Sequence, residues 1–138
     1  MRRKTAKPRS SRESALKTSL RRRIRNLYRR FNLEDWAHCY QLLDPRLREK
    51  NRIDPADNAQ SLAAFRSAYG KVDIWHIRLS LHARPGENKK DGRPFAYAYI
   101  FWQDDRKALH VFRERWVLDG GRWYTRVVGL VAQQTTAK

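Results

Sequence analysis

In the stretch FRERWVLDGGRWY, residues 112–124, alternate positions read Phe112, Glu114, Trp116 and Leu118, while Arg113 and Arg115 take the other face. A strand sends successive side chains to opposite faces, so a carboxylate here shares an apolar face with two aromatic rings. Desolvation raises the pKa of such a carboxylate and lets it take a proton near neutrality. The same group can equally tie the sheet to a basic or hydroxyl partner on a helix packed against it. One acid alone makes no mechanism, which favours the structural role for Glu114 and leaves catalysis as the alternative.

The other residues with chemical potential are weaker. The four histidines, His38, His76, His82 and His110, form no helical pair and no His-Glu-x-x-His motif, so no metal site and no cofactor is expected. His76 and His82 share a strand face with Arg78 and Ser80 and read as solvated. Cys39, the single cysteine, lies beside Trp36 and Tyr40 and reads as an inert core thiol. Gly120-Gly121 is a hairpin turn rather than a phosphate loop, and Asp104-Asp105 reads as a solvated loop.

A stronger signal is charge. The 138 residues carry a formal net charge of +17, and residues 1–30 hold thirteen Lys or Arg against one acid. These are Arg2, Arg3, Lys4, Lys7, Arg9, Arg12, Lys17, Arg21, Arg22, Arg23, Arg25, Arg29 and Arg30. Such an excess attracts polyanions and exceeds what solubility asks for. The expected partner is an RNA or DNA backbone, held without sequence readout. Arg113, Arg115, Arg122 and Arg126, on the outward face of the last hairpin, extend that surface.

Sixteen aromatics and a 41% hydrophobic fraction supply a single core, so the chain is not a disordered polycation. No apolar run approaches a membrane span, and a lone cysteine fits a reducing, cytoplasmic compartment. The Arg- and Ser-rich N-terminus has the composition of a mitochondrial presequence, but it runs unbroken into a helix that the core needs.

The elements follow from periodicity. Residues 1–13 read as a flexible basic arm interrupted by Pro8, with Ser10 and Glu13 as a capping box. Leu16, Leu20, Ile24, Leu27, Tyr28 and Phe31 then form a helical stripe, with Arg21, Arg22, Arg25 and Arg29 mostly off it. Asn32 can cap a second helix with Leu33, Trp36, Cys39, Tyr40 and Leu43 inward. Asp44-Pro45 opens a single turn, and Asp54-Pro55, or Asp57 just after, opens a third helix that ends at Gly70.

From Lys71 the period becomes two. Trp75, Ile77, Leu79 and Leu81 face inward on the first strand, and FAYAYIFW is a central strand. ALHVFRERWVL and RWYTRVVGLV close the chain around a two-residue turn at Asp119-Gly120 or Gly120-Gly121, either of which puts Trp116, Trp123, Thr125, Val127 and Val131 on the face of Glu114 and Val128 on the other. A two- or four-residue turn near Asp105-Arg106 places Tyr97 opposite Glu114 and Tyr99 opposite Phe112. The Tyr97 hydroxyl is then the expected partner of the carboxylate, which would otherwise be costly to bury. The class is α+β: three N-terminal helices packed on a four-stranded antiparallel sheet.

The patterns W..CY.LLDP (from Trp36), FRSAYG (from Phe65) and FRERWV.DGGRWY (from Phe112) resemble the nuclear transport factor 2-like superfamily, in particular its small bacterial members. The resemblance covers residues 14–133 and leaves out the arm and the tail, residues 134–138. It implies a cone in which the sheet wraps the first helix around an internal apolar pocket, here edged by Tyr97, Tyr99, Phe112, Glu114, Trp116 and Trp123. The superfamily includes isomerases, dehydratases, hydrolases and non-enzymatic adaptors, so the resemblance alone does not choose among them. No catalytic set matches residue by residue. The expected function is a non-enzymatic adaptor, ribosomal RNA being one candidate anchor, with a possible homodimer through the outer sheet face. The alternative is a small-molecule enzyme or ligand binder that uses Glu114, Tyr97 and Tyr99.

Overall fold

The computed structural model describes residues 7–127, and of residues 7–10 the backbone alone. Residues 1–6 of the expected arm, Val128 and Val131, and the tail lie outside this range.

The first helix, α1 (Lys7–Asn32), starts earlier than the capping box suggests. Pro8 lies in its first turn, where a missing N–H costs nothing because that donor has no intrahelical partner anyway. The buried side of α1 is the apolar stripe: Leu20, Ile24, Leu27, Tyr28 and Phe31 are each at most 8% exposed.

Asn32 does not cap the second helix. It ends α1 and clamps the backbone of Val72 instead, donating to its carbonyl at 3.0 Å and accepting from its N–H at 2.8 Å. The cap of α2 (Trp36–Gln41) is Asp35, which accepts from the His38 N–H. Leu33 therefore falls in the connecting turn and is 66% exposed rather than inward. Asp44 caps a two-turn helix, α3 (Pro45–Lys50), where a single turn was expected. Of the two possible caps for α4 (Pro55–Tyr69), Asp54 serves, accepting from the Asp57 N–H at 3.2 Å.

Gly70 closes α4 at φ 80° and ψ −148°, a conformation that side chains oppose. A Cβ there would sit 1.9 Å from Asp105 Oδ2, and Asp105 is itself held by the Lys71 N–H. Gly70→Ala is expected to cost about 1–3 kcal/mol, read as a lower urea midpoint. An unchanged midpoint would show that the α4–β1 junction is not constrained in this way.

Four strands follow: β1 (Asp73–His82), β2 (Phe95–Gln103), β3 (Leu109–Asp119) and β4 (Arg122–Thr125). They form an open antiparallel sheet in the order β1-β2-β3-β4. Among the described residues the fold is α+β, with four helices rather than three. Two departures from the expected register matter. A bulge between Ile74 and His76 interrupts the alternation of β1, so Trp75 turns outward and is 57% exposed. In β2–β3 the partners are Ala98↔Glu114 and Ile100↔Phe112, one residue off the expected pairing.

The cause lies in Asp104. Its carbonyl accepts from the Lys107 N–H, its N–H donates to the Ala108 carbonyl, and its side chain accepts from Arg106 and Ala108. Lys107 takes a left-handed φ of 69°. This is a three-residue turn, Asp105–Lys107, with a positive-φ residue at its end. An odd loop shifts every facing pair by one and sends Tyr97 and Tyr99 to the outer face. Asp104 is thus the organiser of the turn, not a solvated loop residue.

The β3–β4 turn is Gly120-Gly121, both at positive φ, with Asp119↔Arg122 closing it. Trp116 and Trp123 lie on one face, as expected from a two-residue turn. The core joins the α1 stripe to Ile77, Ala96, Ala98, Ile100, Trp102, Phe112, Trp116 and Trp123. A parallel bridge, Leu43↔Thr125, fastens the segment before α3 to the end of β4.

Candidate nucleic-acid interface and a buried carboxylate

Glu114 is 1% exposed, on the inner face of β3. Its Oε2 accepts from the Tyr28 hydroxyl of α1, and its Oε1 accepts from Trp116 Nε1 at 2.8 Å. Burial pushes its pKa up to about 7, and the two hydrogen bonds pull the other way without cancelling it. Burial, with the neighbouring carboxylate, holds the Tyr28 phenol well above its ordinary value. The carboxylate therefore ties sheet to helix through a hydroxyl, and Tyr97 has no part in it. Tyr97 and Tyr99 lie opposite Arg115 and Arg113 on the outer face, for the turn reason given above.

Beside Glu114 is a cavity of about 30 Å³, lined by Leu27, Tyr28, Phe31, Cys39, Leu43, Asn58, Leu62, Thr125 and Val127. Of the six expected pocket residues, only Glu114 reaches it. Phe112 stacks on Tyr28 with centroids 5.7 Å apart, and Trp123 donates to Ser19 Oγ at 3.1 Å, so both are committed to packing. A cavity of this size suits a water molecule, whereas metabolite sites run to hundreds of cubic ångströms. Cys39 is buried there, its thiol pushed up to about 12 by burial, and it is a poor nucleophile.

The basic residues divide into three groups. Arg2, Arg3 and Lys4 lie outside the described residues, and Lys7 and Arg9 are placed on α1 by backbone only. Arg12, Arg21, Arg22, Arg25 and Arg29 are exposed along α1, and Lys17 is half-buried. Arg23 and Arg30 are partly withdrawn. Arg23 donates to the Trp123 carbonyl at 2.8 Å and lies over the Tyr124 ring, and Arg30 pairs with Asp35 at 3.4 Å. At 3.6 residues per turn, Arg21, Arg22, Arg25 and Arg29 fall within a sector of roughly 100°. Among the described residues no carboxylate makes an ion pair with any of the four.

The hairpin arginines do not all join that surface. Arg126 donates to Asp44 Oδ2 at 2.8 Å, inside a cluster that sequence reading missed. Asp44 is fully buried and accepts from both terminal guanidinium nitrogens of Arg93, at 2.7 and 2.9 Å. Arg93, itself 6% exposed, also donates to Asp91 and Asp119. Burial alone would raise the Asp44 pKa, but Arg93 and Arg126 outweigh it and hold the carboxyl below its ordinary value. Asp91 is drawn down to about 2, chiefly by its hydrogen bond from Arg93. The only sequence trace of this cluster was Asp44 as a helix cap, because the arginine comes from a polar loop 49 residues away.

Arg113 lies over the Tyr97 ring at 4.5 Å, Arg78 over Tyr99 at 4.7 Å and Arg115 over Phe95 at 4.3 Å. The histidines are dispersed: His76 is exposed, His82 stacks on Phe95 and pairs with Glu87, and His110 pairs with Asp104 at 2.9 Å. Among the described residues no group of three or more His, Cys, Asp and Glu could hold a metal ion. Nor, among those residues, is any helix long and apolar enough to cross a membrane. No protein-family model matches the chain, and no curated protein or solved structure shows a significant match to it.

Proposed function

We propose that this protein is a non-enzymatic adaptor that holds the phosphate backbone of RNA or DNA on the exposed face of α1. The observation that carries this is the run Arg21, Arg22, Arg25 and Arg29, exposed and free of ion pairs among the described residues. Four unpaired guanidinium groups on one helix face repel each other, so they are kept at a cost that a polyanion removes. The basic residues ahead of α1 extend the same charge. Ribosomal RNA is one such backbone.

The likeness to the nuclear transport factor 2-like superfamily belongs to this proposal. A long first helix laid against the inner face of an antiparallel sheet is what such a cone requires, and an adaptor role is one that its members fill. Pocket chemistry at Glu114 is the weaker reading. Both carboxylate oxygens are engaged, Tyr97 and Tyr99 face away, and the cavity leaves room for about one water.

Salt tests the proposal. Affinity for a mixed-sequence RNA or DNA duplex should fall steeply with ionic strength. Replacing Arg21, Arg22 and Arg25 together by Gln should flatten that log–log dependence by about 2–3 units and weaken binding at least roughly tenfold at low salt. Thermal stability should barely change, since these side chains are exposed. Equal affinity and an equal salt slope in the variant would remove α1 as the binding face.

A further inference from the structure

The outer face of the sheet interleaves rings and cations in a way the function of α1 does not use. Trp75, turned outward by the β1 bulge, lies 5.5 Å from Phe101, and His76 lies at the same distance from that ring and stacks on Trp75 with centroids 6.0 Å apart. Trp75 and His76 are both exposed. Along β2 the outward residues continue as Tyr99 and Tyr97, each with an arginine over its ring. Arg78 and Arg113, which supply those guanidinium groups, are exposed and make no ion pair among the described residues.

The carboxylates of this face sit at its margins. Asp73 begins β1, Glu87 is engaged by His82, and Asp119 is held by Arg93 and Arg46. Between these ends the face is aromatic and cationic. Duplex nucleic acid offers few free base faces to rings, whereas a single strand offers one at every nucleotide. Guanidinium groups stacked on tyrosines can serve both its phosphates and its bases.

We propose that the outer sheet face, from Trp75 across Phe101 to Arg78 and Arg113, binds single-stranded nucleic acid by base stacking. This deepens the polyanion reading and rests on it, naming the strandedness of the partner and a second surface for it. Helix and sheet touch where Arg23 of α1 lies over Tyr124 of β4, 5.2 Å from the ring centroid. A second copy of this chain fits the face less well. Isologous pairing would set the Arg78–Arg113 region against its own like charge with no central carboxylate to answer it.

The test uses the full chain with a labelled oligouridylate and a duplex, each about twelve nucleotides long. Trp75→Ala is expected to weaken single-strand binding roughly fivefold or more and to leave duplex binding unchanged. Trp75→Phe, which keeps a ring, should restore most of the loss. Arg78→Gln with Arg113→Gln should also weaken the single strand selectively, whereas the Arg21, Arg22 and Arg25 variant should weaken both ligands. If the Trp75→Ala and Arg78/Arg113→Gln variants bind the oligouridylate as the parent does, while the duplex still depends on α1, this inference falls and the α1 reading stands. If the parent binds neither ligand at low salt, both fall. A dimer that Trp75→Ala dissociates and the oligouridylate cannot disrupt would give the face to self-association and overturn the inference.

Discussion

Glu114→Gln is expected to make the protein more stable than the parent by about 3 kcal/mol at pH 8, and by less than about 1 kcal/mol at pH 5. The folded-state pKa of Glu114 is about 7, above its ordinary 4.5. The unfolded chain therefore gives up the proton more readily than the folded one. Through the window from about 4.5 to 7 the folded state binds more protons, so stability falls as pH rises. Above that window the full penalty is present. A glutamine has no charge to desolvate, and its geometry suits the site: the carbonyl accepts from Trp116 Nε1 while the amide donates to the Tyr28 hydroxyl, which can accept as well as donate. Glu114→Ala leaves both partners without a mate and enlarges the cavity, so it should lie about 1–3 kcal/mol below the Gln variant. Urea midpoints at the two pH values decide the matter. A Gln variant that gains nothing at pH 8, or gains as much at pH 5, would mean that Glu114 is not a desolvated carboxylate.

Asp44→Ala is expected to be among the most damaging single changes, at about 3–5 kcal/mol. Asp44 is the shared acceptor of two arginines, and its removal leaves Arg93 buried with less than its complement of negative charge. It also strips the cap from α3, a further loss of about 1 kcal/mol. The same cluster sets the acid limit of the fold. Asp44 and Asp91 both titrate lower in the folded state than in the unfolded chain, so their contribution is complete above about pH 4. It is lost as pH falls towards the folded values, near 2 for Asp91. Acid unfolding of the parent should therefore steepen below about pH 4, and Arg93→Ala should blunt that steepening. A parent and an Arg93→Ala variant with superimposable acid transitions would show that the cluster contributes nothing to stability.

Much of the fold was legible because it rests on local rules. The α1 stripe, the Asp-Pro helix starts and the Gly120-Gly121 hairpin need only spacing and turn chemistry, and each stands where those rules put it. The inward direction of Glu114 followed from the same hairpin. A hydroxyl or basic partner on the first helix stood only as the structural alternative; the expected partner, Tyr97, was misplaced by the register, and the hydroxyl belongs to Tyr28. The basic run was plain in composition, and its division into exposed and withdrawn arginines followed the helical period for most positions.

What the sequence left open was decided by features with no local signature. One residue more or less in the β2–β3 turn reverses the facing of a whole strand, and Lys107 at positive φ does not announce an odd loop as a glycine would. The bulge at Trp75 likewise breaks an alternation that the residues themselves obey, and it moves an aromatic ring from the expected core to the surface. The Asp44–Arg93–Arg126 cluster gathers a helix cap, a loop and a strand end that are distant in the chain. Periodicity and turn chemistry determine which face α1, β3 and β4 bury, because they act over a few residues. Register and long-range ion pairing depend on loop geometry and on which segments meet, and only the assembled tertiary structure decides them.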